Sequence, residues 1–249
     1  MKLLQYYLVS LTLVSVALAG GAQEAVELHG DYDRLLGQYV EGLSVDYAAW
    51  TASPDDVAAL DRYLDELTAM DPAAWPQADG LAYWINLYNA VTLKLILDNY
   101  PLESIKDLGG FLKKSPWKRK LVTEAGRELT LNDIENDIIR PAFADPRIHF
   151  ALNCASKGCP PLRAAAYLPG TISEQLDAAC TLALNRDRWV RVEGGKVELT
   201  KIFDWYADDF EVDGGSALTF INRYRDEALP AGTGGFSFMS YDWSLNQVQ

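Results

Sequence analysis

Residues 148–163 read IHFALNCASKGCPPLR. The stretch holds one of the chain's two histidines, His149, two of its three cysteines, Cys154 and Cys159, and the pair Pro160-Pro161. A thiolate on Cys154 is a competent nucleophile if His149 serves as its base or imidazolium partner and a third group orients the ring. Glu135 is the carboxylate candidate for that third group, and Asn86 is the amide candidate, by analogy with Cys-His-Asn sites. Asn86 could instead serve as an oxyanion donor. Asn89, Ser156 and Arg163 are candidate binding residues around the same stretch.

The same sulfurs allow other chemistry. Cys154 and Cys159 could close a small disulfide loop in an oxidising compartment. Cys180 would then be unpaired, and within EQLDAACTLAL it reads as a buried, inert thiol. A metal site is poorly supported: four residues separate Cys154 from Cys159, and the second histidine, His29, falls in what reads as a flexible arm. A thiol–disulfide oxidoreductase is a poorer reading still, because no C-x-x-C is present. No motif calls for a cofactor.

The elements that must position these residues are mainly helical. Ser53-Pro54 opens a helix carrying Val57, Leu60, Leu64 and Leu67 at helical spacing. From Leu81, LAYWINLYNAVTLKLIL has no charge before Lys94, which predicts a buried central helix. Asn86 and Asn89 interrupt it on one face. Burying an amide without partners costs a few kcal/mol, so each must fasten a loop or line a site.

KLVTEAGRELT predicts a hairpin around Gly126, and LNDIENDIIR a short amphipathic helix stopped by Pro141. RIHFAL reads as a core strand, with 149, 151 and 153 on one face and the turn beginning near Cys154. WVRVEGGKVEL predicts a second hairpin turning at Gly194-Gly195. Further helices fit 172–186, 201–210 and 215–228. Trp205, Tyr206, Asp209-Phe210 and Tyr241-Asp242-Trp243 read as packing. Arg163 reads as the ion-pair partner of a carboxylate such as Asp209, or as a contact for an anionic substrate.

With 249 residues, 49% of them hydrophobic, the chain can bury one substantial core. The expectation is one α+β domain, mainly helical with a small antiparallel sheet, over 51–249, preceded by an arm or helix over 20–50. Lys2, the apolar run after it and Ala17-Leu18-Ala19 have the form of a secretory leader over 1–19, with cleavage as late as 22 also fitting. That predicts a secreted or periplasmic protein with no integral membrane segment once the leader is removed. The net charge of −13 argues against nucleic acid or anionic lipid as partner. The dispersed acids read as solvated helix faces, and no motif encodes an assembly state.

YWINLYNAVTLKLIL, LTLNDIENDIIR, DPRIHFALNCASKGCPPLR, IFDWYADDF and YDWSLN occur in the order found in the domain of unknown function 547 family, which has exported members. The chain resembles that family over about residues 75–246. The resemblance implies a fold similar to the papain-like and transglutaminase-like cysteine enzymes, with the catalytic elements permuted. It implies Cys154 as nucleophile, His149 as base and Glu135 as orienter. That order, acid then His then Cys, departs from the Cys-His-Asn order of papain-like enzymes.

Two readings of different class follow. The first is a thiol-dependent hydrolase or acyltransferase acting on a small-molecule or peptide substrate. The second is a non-enzymatic periplasmic binding domain stapled by Cys154–Cys159.

Overall fold

The computed structural model describes residues 28–249 apart from 111–114, 213–214, 231 and 233. The expected leader over 1–19 lies outside the described residues, as does 20–27 of the arm. Helix α1 covers residues 28–39 and runs into a hairpin of β1 (Val40–Glu41) and β2 (Ser44–Val45). In α2 (Tyr47–Thr51) the Asp46 side chain accepts the Ala49 N–H, a helix cap. Helix α3 (Pro54–Thr68) begins on Pro54, with Asp55 and Asp56 in the first turn where the helix dipole favours negative charge. Helix α4 (Gln77–Leu97) is the central element, and every residue from Leu81 to Leu93 is buried.

The arm is part of the core. Tyr32, Leu35, Leu36 and Tyr39 recur on one face of α1 and pack with Trp50, Tyr63 and the residues of α4. His29, expected in a flexible segment, is buried in α1 with Nδ1 2.8 Å from the Tyr63 hydroxyl. Burial brings its pKa down to about 4.

Beyond α4 come the hairpin of β3 (Val122–Glu124) and β4 (Arg127–Leu129), a π-helical segment (Asp133–Ile139) and α5 (Arg140–Phe143). Pro141 does not stop the helix as expected. The Arg140 N–H bonds to the Glu135 carbonyl, five residues back, and this widened turn carries the chain past the residue that lacks a donor.

RIHFAL is not a strand. Asp145 accepts the Arg147 N–H, Pro146 supplies its fixed φ, and Pro146–Phe150 winds into a 3-10 turn. Ile148 then enters the helical core around α4, while Phe150 enters a second core. A strand would have put both on one face.

The second core forms under α6 (Ile172–Leu184), the hairpin β5 (Val190–Glu193) and β6 (Lys196–Leu199), α7 (Ile202–Trp205), α8 (Ala207–Phe210) and α9 (Ala217–Tyr224). The one helix expected over 201–210 is two, broken at Tyr206. The β5–β6 turn puts Gly194 and Gly195 at φ 57° and 77°, the left-handed region that glycine enters without cost. Strand β7 (Ser237–Phe238) adds to β6 in parallel. The result is a mainly helical α+β domain with small sheets. Among the described residues no helix is long and apolar enough to cross a membrane.

Candidate functional site

The thiol lies in a tightly tied loop between the two cores. Asn89, on α4, accepts the Asn153 N–H at 2.8 Å and donates to the Ala151 carbonyl at 2.9 Å. The Asn153 side chain accepts the Ala155 N–H and donates to the Pro160 carbonyl, closing the base of the loop. Ala155 takes φ 59°, a left-handed conformation that costs a residue with a Cβ about 1–3 kcal/mol. This reversal brings Ser156 back to the thiol: its Oγ is 3.1 Å from Cys154 Sγ.

The C-terminal segment closes over the loop. Gly158 N–H donates to Asp242 O, Lys157 N–H to Ser244 O, and Asn246 N–H to Ala155 O. A Cβ on Gly158 would come within 3.0 Å of the Asp242 backbone, so this approach requires glycine. The latch sets the Tyr241 hydroxyl 3.3 Å from Cys154 Sγ.

Cys154 and Cys159 are both free, as is Cys180, and no disulfide joins the first two. Cys159 Sγ instead accepts the Cys154 N–H at 3.1 Å. The Cys159 thiol, opposed by burial but assisted by Ser156 and Tyr241, lowers the Cys154 pKa to about 7 by hydrogen bonding to its thiolate. Burial pushes Cys159 the other way, as does its neighbour's charge. Cys180 is fully buried and also pushed up, in keeping with an inert thiol.

His149 is held by Asp209, a residue that composition and spacing offered only as a partner for Arg163. His149 Nε2 is 2.7 Å from Asp209 Oδ2. Arg140 grips the same carboxylate through Nε and Nη2, at 2.7 and 2.8 Å. Burial raises the Asp209 pKa, but the bonds from His149 and Arg140 outweigh it and hold the carboxyl well below the usual range. An ionised Asp209 makes Nε2 the protonated nitrogen of a neutral imidazole and leaves Nδ1 as its basic atom. The ring stacks on Tyr206 at 3.9 Å between centroids.

His149, Cys154 and Glu135 line one pocket of about 290 Å³, walled by Tyr88, Trp117, Trp205, Tyr206, Tyr241 and Trp243. Glu135 does not take the orienting contact with His149. Its carboxylate instead accepts a hydrogen bond from the Tyr88 hydroxyl at 3.2 Å. Asn86 is away from the pocket: its amide donates to the Tyr167 carbonyl at 2.8 Å and accepts the Tyr167 N–H at 3.0 Å. Both asparagines of α4 therefore fasten loops, and Asn89 fastens the one that carries the thiol. Arg163 does not pair with Asp209, which is taken. It lies over the Tyr167 ring at 5.4 Å, and its Nε is buried without a hydrogen-bond partner among the described residues.

Reading the sequence for packing missed Asp209, Tyr206 and Tyr241 as site residues. The available signal was the acid in IFDWYADDF and the clustering of polar with aromatic groups in YDWSLN. Among the described residues no three His, Cys, Asp or Glu side chains converge as a metal site would require.

No curated protein and no solved structure matches the chain. A family model matches residues 72–182, which include Asn89, Glu135, His149, Cys154 and Cys159 but stop short of Asp209 and Tyr241. That segment, with its thiol loop and histidine, is similar to the family described as protein of unknown function, DUF547.

Proposed function

We propose that this protein is a thiol-dependent hydrolase or acyltransferase with Cys154 as nucleophile, His149 as general base and acid, and Asp209 as the group that orients His149. One observation carries the reading: the Cys154 sulfur is surrounded by hydrogen-bond donors that bring its pKa to about 7, in a pocket it shares with an Asp-paired histidine.

In this reaction His149 takes the Cys154 proton and the thiolate adds to the carbonyl carbon of an ester, thioester or amide. The carbonyl π electrons move to oxygen, for which the Tyr241 and Ser156 hydroxyls, the donors beside the sulfur, are the candidate partners. Collapse expels the leaving group, which takes a proton from His149, and the acyl group remains on Cys154. Water or an amine then adds to the acyl carbon while His149 accepts its proton, and the thiolate leaves. The order His149, Cys154, Asp209 along the chain extends the permuted papain-like arrangement that the resemblance implies. Export belongs to the same proposal, resting on the leader-like residues 1–19.

The test is a panel of p-nitrophenyl esters and acyl thioesters given to the whole protein. The expected result is a burst of one equivalent of leaving group, with the acyl mass on the peptide containing Cys154 and neither burst nor adduct in Cys154→Ala. Equal turnover by Cys154→Ala would sink the proposal. The alternative, a binding domain stapled by Cys154–Cys159, draws on the hydrogen bond between these residues. It predicts a linked pair that resists mild reduction and loses thermal stability in Cys154→Ala.

A further inference from the structure

The pocket holds a carboxylate for which acyl transfer finds no use. Glu135 is buried on the π-helical segment, and Asp209 already performs the orienting role expected of it. Its hydrogen-bond partner is neutral, the Tyr88 hydroxyl, and among the described residues it makes no ion pair. Arg140, at the start of the adjoining α5, acts on Glu135 only through space and is committed to Asp209 through two bonds. Asp209, the other carboxylate near the site, is neutralised by that arginine. A buried carboxylate without a cation is costly unless something positive arrives to meet it.

The facing wall is built from rings that attract cations. Arg140 already lies 5.1 Å over Tyr206, and Lys106 lies 5.0 Å over Trp243. Trp205 packs on Trp243 and Tyr241 at 5.8 and 4.8 Å, and among the described residues no cation lies over it. It is 46% exposed, unusual for an aromatic at a pocket wall, and a ligand entering the pocket would cover it.

From this combination of a Glu135 without an ion-pair partner and an open Trp205 face in the pocket of the thiol, we infer that the site selects substrates bearing an alkylammonium group, held between the Glu135 carboxylate and the Trp205 ring while the reactive carbonyl meets Cys154. The inference rests on the thiol reading of the same pocket and names its substrate class. A volume of about 290 Å³ lies at the lower end of small-molecule sites, so it suits a short amine-bearing fragment and not a long chain.

The test compares three methanethiosulfonates with one warhead: the neutral methyl reagent, the cationic 2-(trimethylammonium)ethyl reagent and the anionic 2-sulfonatoethyl reagent. Each converts the thiolate to a mixed disulfide and releases methanesulfinate. Rates at Cys154 are read by peptide mass on the whole protein at about 0.5 M salt, where the Debye length is a few Å and the field of the acidic surface is screened. The expected result is a cationic-over-neutral rate ratio of about 10, falling about 3- to 10-fold in both Glu135→Gln and Trp205→Leu, with Trp205→Phe retaining part of it. Trp205→Leu leaves net charge unchanged, so its effect cannot come from bulk attraction, and at a half-exposed position it is compatible with folding. If Cys154 reacts readily with the neutral reagent but shows no cationic preference, or one that neither variant changes, the inference fails while the nucleophile stands. A neutral or anionic preference likewise overturns it. If Cys154 is inert to all three reagents, the thiol reading falls and takes the inference with it.

Discussion

At the scale of single residues, the property that matters is the environment of one sulfur. A cysteine with a pKa near 7 is half thiolate at neutral pH, whereas the ordinary thiol is a few per cent ionised. Because the pKa is lowered, the thiolate is lost as pH falls through about 7 and gained as it rises. Alkylation of Cys154 should therefore rise between about pH 6 and 8 and then level off. Tyr241→Phe removes one donor to the thiolate. A hydrogen bond to a charged group contributes about 1.5–3 kcal/mol, so the midpoint should move up by about one to two pH units. Stopped-flow alkylation across pH measures this, and an unmoved midpoint would show that Tyr241 does not stabilise the charge. Cys154 and its histidine were legible from the sequence because they sit five residues apart. Its remote donor was not: Tyr241 is 87 residues away, and nothing local in YDW distinguishes a packing ring from a hydroxyl that reaches the sulfur.

At the scale of elements, α4 acts as the frame of the site. Its apolar residues bury it on all sides, and its two asparagines reach out to hold the loops that pass over it. Asn89→Ala leaves the Asn153 N–H and the Ala151 carbonyl without their partners in a buried place. The expected cost is about 2–4 kcal/mol of unfolding free energy by urea denaturation, with loss of the sharp Cys154 labelling profile. Asn89→Asp, which keeps the acceptor but not the donor, should recover part of the labelling. The buried helix and both hairpins could be read from periodicity and turn residues, because those signals are local. RIHFAL could not: its residues favour a strand, but Asp145-Pro146 caps a helical turn, and Ile148 and Phe150 are drawn to different cores. Pro141 misled in the same way, since the π-helical turn around it lies outside ordinary helix rules.

At the scale of the molecule, the pocket exists only where two cores meet. Tyr88 and Leu152 belong to the core around α4, Ile202 and Tyr206 to the core around α6, and the C-terminal segment lies across both. The tail is bound at several points: Leu245 N–H to the Glu103 carbonyl, Val248 N–H to the Val45 carbonyl, and the Tyr47 hydroxyl to Asn246. Residues 72–182 expressed alone would lack Tyr32, Leu35, Tyr47 and Trp50 from the first core, and also Asp209 and Tyr241. That fragment should show no cooperative urea transition by circular dichroism and no preferential labelling of Cys154. A cooperative transition in the fragment would mean that the flanking segments only decorate a self-sufficient unit.

Local signals along the chain set the helical α+β class, the central buried helix, the turn that carries the thiol and a histidine five residues before it. These follow from periodicity, capping and residue type, which act over a few positions. The packing of the chain alone fixes that Asp209 and not Glu135 holds the histidine, that Asn86 ties a distant loop, and that the Tyr241 hydroxyl reaches the sulfur. Those assignments depend on which side chains meet across separations of 60 to 87 residues. Such meetings are set by the packing of two cores against each other, and no local pattern records them.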